Sequence, residues 1–114
     1  MSDCLFCKII SGEIPTDLVY EDKNVVAFRD INPQAPTHIL IIPREHIKTL
    51  NDINQNHGEL LGAMQLTASY LAKEEGIYEK GFRTVFNCNR AAGQTVFHIH
   101  LHLLGGRSMG WPPG

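Results

Sequence analysis

Val96-Phe97-His98-Ile99-His100-Leu101-His102-Leu103-Leu104 alternates with a strict period of two. In an extended strand such a run throws Phe97, Ile99, Leu101 and Leu103 to one face and His98, His100 and His102 to the other. The three imidazoles then form a row about 13 Å long, with His100 flanked on both sides. A lone strand histidine is usually satisfied by nearby backbone, but three on one face opposite an apolar face point to chemistry. Two of the rings can share a zinc ion, with a third ligand from elsewhere. Alternatively, a neutral imidazole attacks phosphorus while its neighbours hydrogen-bond the phosphoryl oxygens and protonate the departing group. The residues alone leave both readings open.

Working outward, Phe82 to Asn87 reads as the preceding strand, joined to the histidine run by a polar, glycine-ended turn from Asn89 to Gly93. Leu18 to Glu21 and Val25 to Arg29 flank Asp22, Lys23 and Asn24 as a hairpin, and His38 to Ile42 is a further strand. From about Asn56 to Glu75, Leu60, Met64, Thr67 or Ala68, and Leu71 recur at helical spacing, with Asn56 as the cap, Glu59 three residues on and Gly76 at the exit. Leu5, Phe6, Ile9 and Ile10 predict one or two helical turns closed by Gly12 and Pro15. The fold class is therefore α+β: a five-stranded antiparallel sheet with one long helix and a short N-terminal helix, the helices lying on its apolar face.

At 114 residues and 43% hydrophobic content, the chain suits one domain, 1–114, whose small core would gain from oligomerisation. A net charge of −2 provides no basic stripe for a nucleic-acid polymer, which is not an expected partner. The N-terminus does not read as a signal peptide, and the longest apolar stretch, Ile39 to Ile42, is far too short to cross a bilayer. A soluble cytoplasmic protein with no membrane partner is expected. Three cysteines fit a reducing compartment better than a disulfide framework, with Cys88 as a free thiol. Cys4 and Cys7 have zinc-ligand spacing without the second pair of a zinc ribbon, so the alternatives are a metal completed from elsewhere, two reduced cysteines, or a redox pair.

The run His98-Ile99-His100-Leu101-His102-Leu103-Leu104 resembles the signature of the histidine triad family. The resemblance extends through Asp3 to Pro15, Phe28-Arg29-Asp30-Ile31-Asn32-Pro33-Gln34-Ala35-Pro36-Thr37-His38, Gly93-Gln94-Thr95-Val96-Phe97 and Trp111-Pro112-Pro113-Gly114, essentially the whole chain. Within the family it is similar to the Hint branch of purine nucleoside phosphoramidases. His102 stands where the galactose-1-phosphate uridylyltransferase branch usually has glutamine, and the diadenosine polyphosphate hydrolase branch lacks the Gly105-Gly106 turn and the Trp-Pro-Pro ending. The likeness implies hydrolysis of AMP or GMP joined through a P–N bond to an amine, with acyl and lysyl conjugates as further substrates, and no cofactor in catalysis. The alternatives are a nucleotide-binding regulator with incidental hydrolysis, a dinucleoside polyphosphate hydrolase, or a metal-binding module using the histidine row.

By the same resemblance, His100 is the nucleophile, His102 contacts phosphoryl oxygens and leaving group, and His38 and His98 orient the nucleophile. Thr95 stands where serine is common and supplies a hydroxyl to phosphate or leaving nitrogen. Asp30 is implied to hold the ribose hydroxyls, Phe28 and Ile31 to contact the base, and Asn87, Gly93, Gln94, Thr95 and Val96 to cradle the phosphate. Some bacterial relatives join the cysteine pair to two histidines, which here implies structural zinc on Cys4, Cys7, His46 and His98. The likeness also implies a homodimer with a continuous sheet. In it the tail, 107–114, would dock on a catalytic pocket, because Trp111, followed by two rigid prolines, would be wasted in solvent.

Overall fold

Local chemistry accounts for most of the elements in this structure, a computed structural model that describes residues 3–114. Helix α1 (Leu5–Ser11) is capped by Cys4, whose sulfur accepts the Cys7 N–H at 3.4 Å, and closes at Gly12 in the left-handed region (φ 83°). Strands β1 (Leu18–Glu21) and β2 (Val25–Arg29) form the expected hairpin, its turn set by Asp22 Oδ1 accepting the N–H groups of Asn24 and Val25. Strand β3 spans Thr37–Pro43 and is buried throughout. Two short 3₁₀ turns, Leu50–Asp52 and Gln55–His57, lead into helix α2 (Gly58–Glu74). Strand β4 (Phe82–Phe86), a single helical turn α3 (Asn89–Ala92) and strand β5 (Leu101–Gly105) complete the chain.

The sheet is antiparallel in the order β1-β2-β3-β5-β4, so β3 and β5 are central and β4 is an edge. On one face Met64, Ala68 and Leu71 of α2 pack on Val25, Ala27, Ile39, Ile41, Leu101 and Leu103. On the other, Phe6 of α1 packs on Val26, Phe28, Leu40 and Ile42. The expectation that both helices share one face is therefore corrected: α1 covers the histidine side.

Three local expectations also change. Asn56 does not cap the long helix; Asn54 caps the 3₁₀ turn before it, and Glu59 merely opens α2 as an acidic first-turn residue. The polar turn from Asn89 to Gly93 contains the α3 turn. The histidine strand begins at Leu101, not Val96, and Phe97 is exposed instead of sharing the buried face of Ile99, Leu101 and Leu103. The register sets Ile41 against Leu101, which would bring Pro43 opposite Ile99. Proline has no N–H for the ladder. The Ile99 N–H goes instead to the Ile47 carbonyl at 2.8 Å, and the Pro43 carbonyl is taken by His98 Nε2 at 2.8 Å. At the far end of β5, a Cβ on Gly105 would press on the Ile77 side chain, which would have to shift to admit it. No helix of the described residues is long and apolar enough to cross a membrane.

Candidate active site

The histidines converge although two of them lie outside the regular strand. A groove of about 810 Å³ on the α1 side is lined by Phe28, Asp30, Ile31, Thr95, Val96, His100 and His102, all expected from sequence. Its other wall was not: Leu5, Phe6 and Ile9 of α1 and the Ile14 to Asp17 segment close it. The only sequence signal for that wall was the apolar spacing of the short helix, which reads equally well as core.

Fixed hydrogen-bond partners settle which ring nitrogens carry protons. His100 Nδ1 lies 2.8 Å from the His98 carbonyl, which can only accept, so Nδ1 holds the proton and Nε2 carries the lone pair. The Gln34 N–H donates to His38 Nδ1 at 3.0 Å, leaving the proton on His38 Nε2. That nitrogen sits 2.9 Å from His102 Nδ1, which must accept, so His102 Nε2 is an N–H donor. The groove-lining pair thus has complementary character, a lone pair on His100 and a donor on His102, with ring centroids 5.0 Å apart. Burial lowers the pKa of His100 and of His38, against the opposing pull of Asp30. Burial, with His100 and His38 alongside, pushes His102 down to about 4. All three rings are neutral at pH 7.

The His38 ring faces His102, while the His98 backbone carbonyl fixes the His100 ring and the His98 ring turns away to the Pro43 carbonyl. Asp30 is a turn residue, accepting the Asn32 N–H at 2.8 Å, and also lines the groove with Oδ2 3.5 Å from His38 Nε2. Asn87, Gly93 and Gln94 are not among the groove-lining residues. The N–H groups of Gly93 and Gln94 close α3, and the buried Gln94 amide accepts from the Asn89 N–H and donates to the carbonyls of Lys48 and Val96. Gln94 therefore shapes the loop that carries Thr95 and Val96.

Behind the groove, Cys4, Cys7, His46 and His98 bring one ligand atom each within 4.8 Å of one another. His98 Nδ1 lies 3.3 Å from Cys4 Sγ, 3.6 Å from Cys7 Sγ and 3.2 Å from His46 Nδ1, and Cys7 Sγ is 3.4 Å from His46 Nδ1. A tetrahedral zinc with bonds of about 2.3 Å to sulfur and about 2.05 Å to nitrogen sets S···N edges of about 3.6 Å and an N···N edge of about 3.3 Å. The four residues fit that ion. His98 Nε2–H donates to the Pro43 carbonyl, which leaves Nδ1 unprotonated for a metal. Phe6, between the two cysteines in sequence, contacts both His98 and His100 edge-on, at centroid distances of 5.8 and 5.1 Å.

The tail folds back on its own chain: Arg83 donates to the Gly110 carbonyl at 2.8 Å and its guanidinium lies 5.9 Å from the Trp111 ring, while Arg107 donates to the Gln34 carbonyl. Trp111 remains 82% exposed. Cys88 is a half-buried free thiol.

The family model described as "Scavenger mRNA decapping enzyme C-term binding" matches residues 3–111. The purine nucleoside phosphoramidase of Escherichia coli strain K12 is 56% identical over 108 residues, covering 95% of this chain and 91% of the relative. A 14 kDa zinc-binding protein of Zea mays is 53% identical over 115 residues, covering 99% and 89%. The crystal structure of a HIT family hydrolase from Legionella pneumophila superposes with a TM-score of 0.96 at 62% identity, covering 98% of this chain and all of that one. Its fold, its histidine row and this end-to-end similarity make the chain a member of the histidine triad family.

Proposed function

We propose that this protein is a purine nucleoside phosphoramidase, hydrolysing the P–N bond between AMP or GMP and an amine. The observation that carries the reading is the proton placement: His100 Nε2 offers a lone pair to the groove beside the His102 Nε2–H. His100 attacks phosphorus, and the His102 N–H stabilises the phosphoryl oxygen on which charge grows, as a neutral histidine can when burial keeps it unprotonated. The P–N electron pair goes to nitrogen, which takes a proton from solvent; Thr95 also lines the groove. Water then attacks the nucleotidyl-His100, releasing the nucleotide, returning Nε2 to its neutral state and giving its proton to solvent. Phe28 and Ile31 contact the base, the latter with an apolar side chain standing wholly in solvent at the groove wall, and Asp30 takes the ribose hydroxyls.

Zinc in the Cys4, Cys7, His46, His98 set is structural in this reading, because its ligands face away from phosphorus. Bound there, the metal pins α1 to the segment that presents His100. Cysteine thiolates kept for a metal accord with a reducing, cytoplasmic setting. The exposed β4 edge and the projecting Trp111 support a homodimer in which the sheet continues between subunits and the tail shapes a catalytic pocket.

The test is covalent trapping. Rapidly quenched turnover of an adenosine phosphoramidate, kept out of acid, should add one nucleotidyl mass to the peptide containing His100. His100→Ala should lose several orders of magnitude in rate and still bind AMP. Near-normal turnover by that variant would end the proposal.

A further inference from the structure

Asp17 occupies a part of the groove that the chemistry at phosphorus does not use. The register pairs Leu18 with Phe28, Phe28 with Leu40 and Leu40 with His102, so one row of residues crosses the sheet from β1 to β5. Three inter-strand steps of about 4.8 Å span about 14 Å, comparable with the reach of an extended 5′-mononucleotide with a hydrogen bond at each end. Phosphorus belongs at the β5 end, where His100 and His102 line the groove, so the base runs towards β1 between α1 and Phe28. Phe6, Ile9 and Phe28 are apolar and meet only the faces of a purine. Its far edge, N1 with the substituents on C2 and C6, reaches the segment just before β1, where Thr16 and Asp17 line the groove. That segment is held in place: the Ile14 N–H donates to the Lys8 carbonyl at 3.1 Å, the Thr16 hydroxyl donates to the Ile14 carbonyl at 3.3 Å, and Leu18 enters the sheet. Asp17 and Asp30 are the two carboxylates among the lining residues, and Asp30 is engaged elsewhere, 3.5 Å from His38 Nε2.

We propose that Asp17 reads the far edge of the base and makes this site prefer guanine over adenine. The inference rests on the nucleotide reading above and names the base it favours. Guanine presents N1–H and its 2-amino group side by side, two donors matched to the two oxygens of a carboxylate. Adenine presents an acceptor, N1, at the same place, so a carboxylate there meets a lone pair and can accept only from the single 6-amino donor beside it. Hypoxanthine keeps N1–H and lacks the 2-amino group, so it falls between them.

The test compares kcat/KM for guanosine, inosine and adenosine 5′-phosphoramidates that share one leaving amine, using the full chain, Asp17→Ala and Asp17→Asn. Asp17 is exposed, so both variants should fold. The wild type should favour guanosine over adenosine by about tenfold, with inosine between, and both variants should bring the ratio close to one. The change should enter through KM, because the contact is remote from phosphorus. Equal rates for guanosine and adenosine in the wild type, or a guanosine preference that survives Asp17→Ala, would overturn the assignment. Calorimetric titration with GMP and AMP separates this failure from failure of the parent reading. Tighter GMP binding lost in Asp17→Ala supports the role of Asp17 even if no P–N bond is cleaved. Equal GMP and AMP affinity defeats it, and no binding of either nucleotide defeats both readings.

Discussion

His38 never needs to touch phosphorus to matter, because it decides where the proton on His102 sits. It is buried, its Nδ1 is occupied by the Gln34 N–H, and its Nε2 faces His102 at 2.9 Å. His38→Ala should free His102 to adopt either tautomer and lower kcat by about tenfold or more, with a smaller change in KM, since the lost donor acts on charge that develops in the transition state. The same burial sets the pH response. Burial and the neighbouring His100 and His38 hold His102 near a pKa of about 4, whereas in the unfolded chain it titrates at about 6.5. Between these values the unfolded state binds more protons, so this contribution to stability is fully present above pH 6.5 and is lost as the pH falls towards 4. His38, also lowered, acts in the same direction. Melting temperature measured from pH 8 to pH 4 should fall through that window, and His102→Asn should flatten the fall. A profile unchanged by that substitution would remove His102 from the account.

At the scale of elements, α1 is short and buries one side chain, Phe6, yet it forms a wall of the groove. A single helix of this length is marginal without tertiary support. The cysteine–histidine set supplies that support on the proposed reading. Stripping metal with a chelator, or Cys4→Ser, should therefore lower the melting temperature and weaken AMP binding together, with one zinc per chain detected by native mass spectrometry of untreated protein. Unchanged stability after metal removal would count against the site. Met64 of α2 offers the contrast, being fully buried on the opposite face of the sheet. Met64→Ala should cost about 2–5 kcal/mol of stability while AMP affinity in the folded protein stays near wild type.

For the whole molecule, the exposed edge at β4 and the tail that Arg83 holds against it meet at one place. An unprotected edge strand is a template for pairing, and 82% of the Trp111 surface projects from the tail beside it. In the proposed homodimer, removing residues 107–114 should leave the dimer and AMP affinity largely intact. It should also change relative kcat/KM among amine leaving groups several-fold. Sedimentation and a leaving-group series would check both halves, and an unchanged ranking across the series would exclude the tail from specificity.

Much of this was legible without coordinates because alternation and helical spacing are local steric properties. The β-prone runs from Leu18 to Glu21, Val25 to Arg29, His38 to Ile42 and Phe82 to Asn87, the period of two from His98 to His102 and the apolar spacing from Leu60 to Leu71 were enough for the five strands, the long helix and the histidine row. Tertiary structure decided what depends on residues far apart in the chain. Pro43 opposite Ile99 stops the β5 ladder at Leu101, so His98 and His100 sit on irregular backbone whose carbonyl at 98 can orient the His100 ring. Gln34 and His38 set the tautomer of a ring more than sixty residues away. Cys4 and Cys7 showed their spacing from the start, but only the folded chain brings His46 and His98 to them, and α1 onto the face that the histidines share. A hydrogen-bond partner, a ligand set and a groove wall are defined by which surfaces meet, and local pattern carries no record of that.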